Sequence, residues 1–222
     1  MPHDLDQPLA LLANLSPREF MANHWQKRPL LIKGAMDVSR LGLSQKAMFQ
    51  LAGQAEVESR VIARKGQSWS LSQGPFSARK LGGLKADAWT LLVQGVKQHH
   101  PDAAALLASF RFLPDARLDD LMVSWASPGG GVGPHFDSYD VFLLQISGRR
   151  RWQIGPQTDL SLVPDLPLKI LAHFEPTETH VLEPGDMLYL PPKWAHDGVA
   201  EGADCMTASI GFRAPARAGL AN

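Results

Sequence analysis

Glu183-Pro184-Gly185-Asp186-Met187-Leu188-Tyr189-Leu190-Pro191-Pro192 is the stretch on which the fold class turns. A Pro-Gly-Asp turn leads into four consecutive apolar residues, too few for a helix. Two prolines then end the run, because proline has no N–H to offer a ladder. The reading is a tight turn, a buried strand and a stiff exit. Outward from it the pattern repeats. Leu121–Ala126, Val141–Ile146, Arg150–Ile154, Thr179–Leu182 and Met206–Phe212 are short runs, parted by Ser127-Pro128-Gly129-Gly130-Gly131, Ser147-Gly148 and Gly155-Pro156. Short strands at regular spacing predict a sandwich or barrel, with jelly-roll closure as one way to protect the edges. The 19 glycines and 17 prolines are a mild excess, and they cluster ahead of His135 and between these strands up to His196.

Before Leu118 the pattern is mostly helical with short strands. Ser16-Pro17-Arg18-Glu19 is a capping signature with proline at the first helical position, opening a helix through Phe20 to Trp25. Arg28-Pro29-Leu30-Leu31-Ile32-Lys33-Gly34 reads as a strand, and Ser44 caps a helix over Gln45 to Gly53. Glu58–Arg64 and Ser68–Leu71 flank Lys65-Gly66-Gln67 as a hairpin. Ala88 to His99 and Ala103 to Phe110 have helical spacing of apolar residues. The expected organisation is one structural unit, with an N-terminal helical and short-strand region over 1–117 packed on a β core over 118–222.

Composition excludes several function classes. The chain has 222 residues, with 22 basic against 22 acidic side chains and 45% hydrophobic content, so it can bury a large core without a net field. No direct nucleic-acid binding is expected, because phosphate recognition needs an excess of lysine and arginine. A single cysteine, Cys205, rules out an intramolecular disulfide framework and a cysteine-based zinc site, and fits a cytoplasmic setting. No membrane association is expected: no window approaches the roughly 20 apolar residues of a spanning helix, and the N-terminus lacks an export signal.

The candidate chemistry begins at His135-Phe136-Asp137. In extended chain, residues i and i+2 share a face, so His135 and Asp137 can face one ion while Phe136 points away. His196, placed beyond the proline exit, would add a second imidazole. Two imidazoles and one carboxylate on one face form the triad of non-haem Fe(II) oxygenases. Taken singly, each half has a plainer reading, as a surface His-X-Asp pair and as a hairpin histidine.

In Arg149-Arg150-Arg151-Trp152-Gln153-Ile154, alternation puts Arg150 with Trp152 and Ile154 on one face. A guanidinium turned inward needs an acceptor to offset its desolvation, and its planar fork matches a carboxylate. That acceptor is a dicarboxylate cosubstrate, an internal Asp or Glu, or water at a strand rim. In the last strand Cys205, Thr207, Ser209 and Gly211 alternate with Met206, Ala208, Ile210 and Phe212. The small polar face suits either a barrel interior holding a ligand or solvent. Ser124, beside Trp125, is in the same position.

These residues resemble the bacterial ribosomal oxygenases of the JmjC, cupin-like class, which hydroxylate an arginine of large-subunit ribosomal protein uL16. The similarity runs through Phe20–Pro29, with its His-Trp-Gln-Lys-Arg-Pro element, Leu118–Ser124, and the long Pro128–Phe142 motif. It continues in Gly148–Trp152, Leu182–Pro192 and Ser209–Pro215. The resemblance implies a mainly β fold, a double-stranded β-helix of jelly-roll type preceded by N-terminal α/β elements. It implies Fe(II) on His135, Asp137 and His196, the distal carboxylate of 2-oxoglutarate on Arg150, and dioxygen as the other cosubstrate. Ser124, Thr207 and Ser209 would lie beside the cosubstrate. By sequence position alone, Tyr139 and Asp140, just past the ligand pair, are candidate acceptors for a substrate arginine, and Asp140 could as easily cap a strand end. The implied partner is uL16. The same machinery acting on a histidine or a small molecule, and a non-redox cupin module, are the alternatives. Family members continue past the Phe-Arg-Ala-Pro element into a dimerisation region and a winged-helix-like domain, whereas this sequence stops at Asn222. The expectation is therefore a fragment or a shortened homologue, in which the family's homodimer is in doubt.

Overall fold

The computed structural model describes residues 4–84 and 88–213. Nine strands form a continuous antiparallel network: β1 Leu30–Ile32, β2 Ser59–Lys65, β3 Ser68–Gln73, β4 Ala88–Val93, β5 Leu118–Ala126, β6 Asp140–Pro156, β7 Glu178–Leu182, β8 Met187–Leu190 and β9 Trp194–Phe212. The strand order is β1-β8-β6-β9-β5-β4-β2-β3, with β7 on the far half of β6. Two long strands make this possible. The first half of β6 pairs with β8 and the last half of β9, while its second half pairs with β7 and the first half of β9. The long pair thus passes from one sheet into the other, the closure of a double-stranded β-helix. The expected jelly roll is the fold of this chain.

Both faces of the larger sheet are buried. On one side Phe142, Tyr189 and Phe212 pack with Phe20, Trp25 and Phe110 of the N-terminal region. On the other, Val141, Leu143, Leu188 and Leu190 join Trp152 and Ile154 inside the barrel. This is why Met187-Leu188-Tyr189-Leu190 is apolar throughout rather than alternating. Four short helices precede the barrel proper: α1 Pro17–Asn23, α2 Gln45–Leu51, α3 Ala78–Gly82 and α4 Pro101–Ala108. The capping box at α1 forms as expected. Ser16 Oγ accepts from the Glu19 amide, and the Glu19 carboxylate accepts from the Ser16 amide at 2.8 Å. Ser44 caps α2 in the same manner from its own side chain.

Three expectations are corrected. Ala88 to His99 is not a helix but β4, followed by a 3-10 turn at Val96–Gln98. Its apolar run is continuous because β4 is covered on both faces, which leaves helix and strand periods indistinguishable. Val141–Ile146 and Arg150–Ile154 are one strand, bent by register shifts at Gln145/Ser147 and Ser147/Arg149. β9 starts at Trp194, twelve residues before the run recognised at Met206. The region before Leu118 also carries more sheet than expected, since β2, β3 and β4 extend the barrel wall.

Candidate metal centre

The glycine run docks before it delivers a ligand. Gly129 N–H donates to Ala200 O, and Ala200 N–H to Gly130 O, which lays the run along the first half of β9. A Cβ at Gly131 would lie 2.6 Å from Gly198 O, so this approach requires glycine. His135 and His196 then exchange both backbone hydrogen bonds, at 3.0 and 2.8 Å, as directly opposed residues. Their rings lie side by side with centroids 4.2 Å apart. Asp137 is held from the other direction, because Lys193 at the end of the proline exit donates its N–H to Asp137 O at 2.7 Å. One donor atom from each of His135, Asp137 and His196 can be chosen so that all three lie within 4.8 Å of one another.

The tautomers are set by geometry. His135 Nδ1 lies 2.9 Å from Gly133 O, and His196 Nδ1 lies 3.0 Å from Trp194 O. A carbonyl can only accept, so each Nδ1 carries the proton and each Nε2 presents a lone pair. His196 is 2% exposed, and its burial, reinforced by the neighbouring His135, pushes its pKa down to about 4. It is therefore neutral near pH 7, as a metal ligand must be. Asp137 Oδ2 stands 3.7 Å from His196 Nε2, too long for a good hydrogen bond and suited to two groups that share an ion.

These groups open onto a cavity of about 300 Å³. Arg150, Ser124, Thr207 and Ser209, the residues expected beside the cosubstrate, all line it. Arg150 is 3% exposed, with Trp152 and Ile154 buried on the same side. Arg149 and Arg151 sit on the outer face near Glu201, at 3.6 and 3.5 Å. The Arg150 Nε and Nη2 groups are buried and have no hydrogen-bond partner among the described residues. No salt bridge to an internal acid satisfies them among those residues, and the side chain does not reach solvent. Its guanidinium rests 5.7 Å from the Trp152 ring. A buried charge left this way is costly, and a carboxylate is the group that would match it. The Thr207 hydroxyl donates to Gln145 Oε1 at 2.8 Å, so its hydrogen is already committed. Ser124 Oγ has only a long contact, 3.4 Å, to Thr207 O.

Asp140 is corrected. Because side chains alternate, it lies on the opposite face of β6 from the cavity-lining Val141. It is fully buried there and accepts hydrogen bonds from Tyr189 Oη at 2.5 Å and Gln26 Nε2 at 3.2 Å. It is not available to a substrate. Tyr139 does line the cavity, with its hydroxyl held protonated by burial and by Asp137. Sequence reasoning missed Arg60, Leu92 and Gln94 on the cavity wall. Only the long-range register of β2 and β4 against β5 places them there.

The family model for the JmjC domain matches residues 105–220. This chain belongs to the JmjC domain family. Among curated relatives, the JmjC chain is 43% identical over 200 residues to the ribosomal protein uL16 3-hydroxylase of Escherichia coli (strain K12), covering 89% of this chain and 52% of that protein. It is 36% identical over 206 residues to a probable ribosomal oxygenase of Haemophilus influenzae, covering 91% of this chain and 50% of the relative. The JmjC chain thus spans about half the length of these relatives. Among solved structures, E. coli YcfD superposes with a TM-score of 0.84 at 40% identity, over 99% of this chain and 56% of that one. A YcfD structure in complex with cobalt and 2-oxoglutarate gives 0.79 at 41% identity, over 93% of this chain and 54% of that one. The Ala214 and Pro215 of the final resemblance element lie outside the described residues.

Proposed function

We propose that this chain is an Fe(II)- and 2-oxoglutarate-dependent protein hydroxylase whose target is an arginine of ribosomal protein uL16. The observation that carries the reading is Arg150. A buried guanidinium with two nitrogens unpartnered among the described residues shares a cavity with two imidazoles and a carboxylate. A metal-binding module without a cosubstrate has no use for such a group. The donor set fits Fe(II): two nitrogen ligands and one oxygen ligand leave positions open. With 2-oxoglutarate and dioxygen, the bound metal supplies the oxidising chemistry that no side chain can.

The chain's own contribution is geometric. His135 and His196 would hold the ion through Nε2, oriented by their Nδ1–H bonds to Gly133 and Trp194. Asp137 would supply the oxygen ligand. Arg150 would take the distal carboxylate of 2-oxoglutarate, orienting its other end toward the triad, with Ser124 and Ser209 alongside. Val141, Leu143 and Trp152 keep that part of the cavity dry, which strengthens the charge pairing. The uL16 target is taken from the name of the E. coli relative. A cytoplasmic setting fits the single, reduced cysteine. Among the described residues no helix is long and apolar enough to cross a membrane.

The test is anaerobic reconstitution with Fe(II), followed by 2-oxoglutarate, oxygen and a uL16 fragment, monitoring succinate and the fragment's mass. The expected outcome is succinate release coupled to the gain of one oxygen atom on an arginine. Absence of 2-oxoglutarate binding by folded, Fe(II)-loaded protein would refute the oxygenase reading. Succinate without fragment oxidation would remove the substrate alone.

A further inference from the structure

The cavity contains a second arginine. Arg60 stands on β2 and lines the same space as the triad and Arg150. Register fixes its place: Arg60 opposes Leu92 on β4, Leu92 opposes Ser124 on β5, and Ser124 opposes Thr207 on β9. Directly opposed residues in a sheet share a face. One row of side chains therefore runs along the cavity wall from Thr207 to Arg60 at its outer end. Gln94, two residues on from Leu92, flanks that end.

The Arg60 Nε is buried and has no hydrogen-bond partner among the described residues. The nearest acid, Glu58, places Oε1 3.8 Å away, beyond hydrogen-bond length, and is itself 64% exposed. The Arg60 side chain as a whole is 31% exposed, against 3% for the Arg150 residue. One arginine is thus sealed within the cavity and the other stands where the cavity meets its mouth. A dicarboxylate held by the metal has one distal carboxylate, which would satisfy Arg150 and leave Arg60 with only its long contact to Glu58 among the described residues.

We propose that Arg60 is a substrate-binding residue, donating from its guanidinium to a main-chain carbonyl of the polypeptide that enters the cavity. The inference rests on the hydroxylase reading of this site. A carbonyl is favoured over an acidic side chain because Asp120, which has no cationic partner among the described residues, lines the adjoining pocket beside Gln94, where a further carboxylate would be repelled. A carbonyl is also present in any polypeptide, so Arg60 would fix the depth of insertion rather than the identity of the residue.

The test separates the two arginines by what each binds. A fluorescent uL16 fragment is titrated into metal-free protein, and 2-oxoglutarate into Mn(II)-loaded protein, for the wild type, Arg60→Gln and Arg60→Lys, with circular dichroism as a check on folding. Arg60→Gln is expected to weaken fragment binding about 10-fold or more, the usual range for a charge-assisted hydrogen bond, with partial recovery in Arg60→Lys. Binding of 2-oxoglutarate should stay within about twofold in both. Unchanged fragment affinity, an equal loss for both ligands, or loss of fold in both variants overturns the proposal. So does a wild type that does not bind the fragment. A wild type that fails only with 2-oxoglutarate refutes the oxygenase reading, while the fragment titration still judges Arg60.

Discussion

Arg150 is held where, without ligand, it destabilises the protein. Val141, Leu143 and Trp152 surround the space it occupies, and two of its N–H groups find no acceptor among the described residues. Replacing a buried, uncompensated charge with an apolar side chain of similar volume is typically neutral or stabilising. Arg150→Met is therefore expected to raise the unfolding free energy of the ligand-free protein by about 1 kcal/mol or more, read from urea denaturation. In the same variant 2-oxoglutarate affinity should fall more than about 10-fold, read by calorimetry. Arg149→Met, on the outer face, should change neither by a comparable amount. A loss of stability in Arg150→Met would mean that the guanidinium has a structural partner. At this scale the sequence was informative, because local alternation alone separates Arg150 from its two neighbours. It was misleading three residues past the ligand pair, where nothing local says that Asp140 faces Tyr189 rather than the cavity.

At the scale of elements, β9 shows what a short-range reading misses. Its first half contains Ala195, Gly198, Ala200, Gly202 and Ala203, weak strand formers with no alternation to notice. Ala195, Gly198 and Ala200 are strand because β6 pairs with them residue by residue, while Gly202 and Ala203 fall within the register shift next to Ser147. Small size has its own use there: a Cβ at Gly198 would lie 2.5 Å from the Trp152 ring. That ring stands 5.8 Å from His196 and forms part of the cavity wall. Gly198→Ala should push Trp152 out of place, lowering stability by about 1 to 3 kcal/mol as overpacking does, and weakening metal binding in parallel. Thermal unfolding and a Mn(II) titration measure the two, and a fully stable variant with intact metal affinity would contradict the packing described. The capping box at α1, by contrast, was fully legible, because all of its bonds lie within four residues. β4 was not, since burial on both faces erases the period that tells strand from helix.

At the scale of the whole molecule, a buried polar cluster helps tie the N-terminal region to the barrel. The Gln26 amide donates to Tyr189 Oη at 2.8 Å, and both Tyr189 and the Gln26 side chain donate to Asp140. Burial raises the Asp140 carboxyl above its ordinary range, with these donors working against that rise. Asp140→Ala leaves two donors unpartnered and is expected to cost about 3 kcal/mol in chemical denaturation. Asp140→Asn, which keeps an acceptor oxygen for Tyr189, should cost clearly less. Equal losses would show that the carboxylate's charge, not its hydrogen bonding, holds the two regions together. His24-Trp25-Gln26 was recognisable as a motif, but its role required knowing that Tyr189, 163 residues away, is its partner. The metal triad was legible for the opposite reason. Its residue types are distinctive enough to be matched across a separation of 61 positions without knowledge of the backbone bridge that joins them.

The irregularity in β6 sets which of its side chains face the cavity. Val141 and Leu143 line the cavity at odd positions, whereas Arg150 and Trp152 line it at even ones, and the change of phase occurs across the register shifts around Ser147. The number of residues between the two halves of the strand thus decides which arginine faces the cavity. Deleting one residue there would bring Arg149 or Arg151 to the inside and send Arg150 into water, with every side chain of the site still encoded. Chain length at Ser147-Gly148 is in this sense a dimension of the pocket, setting which side chains point inward as firmly as the residue types do.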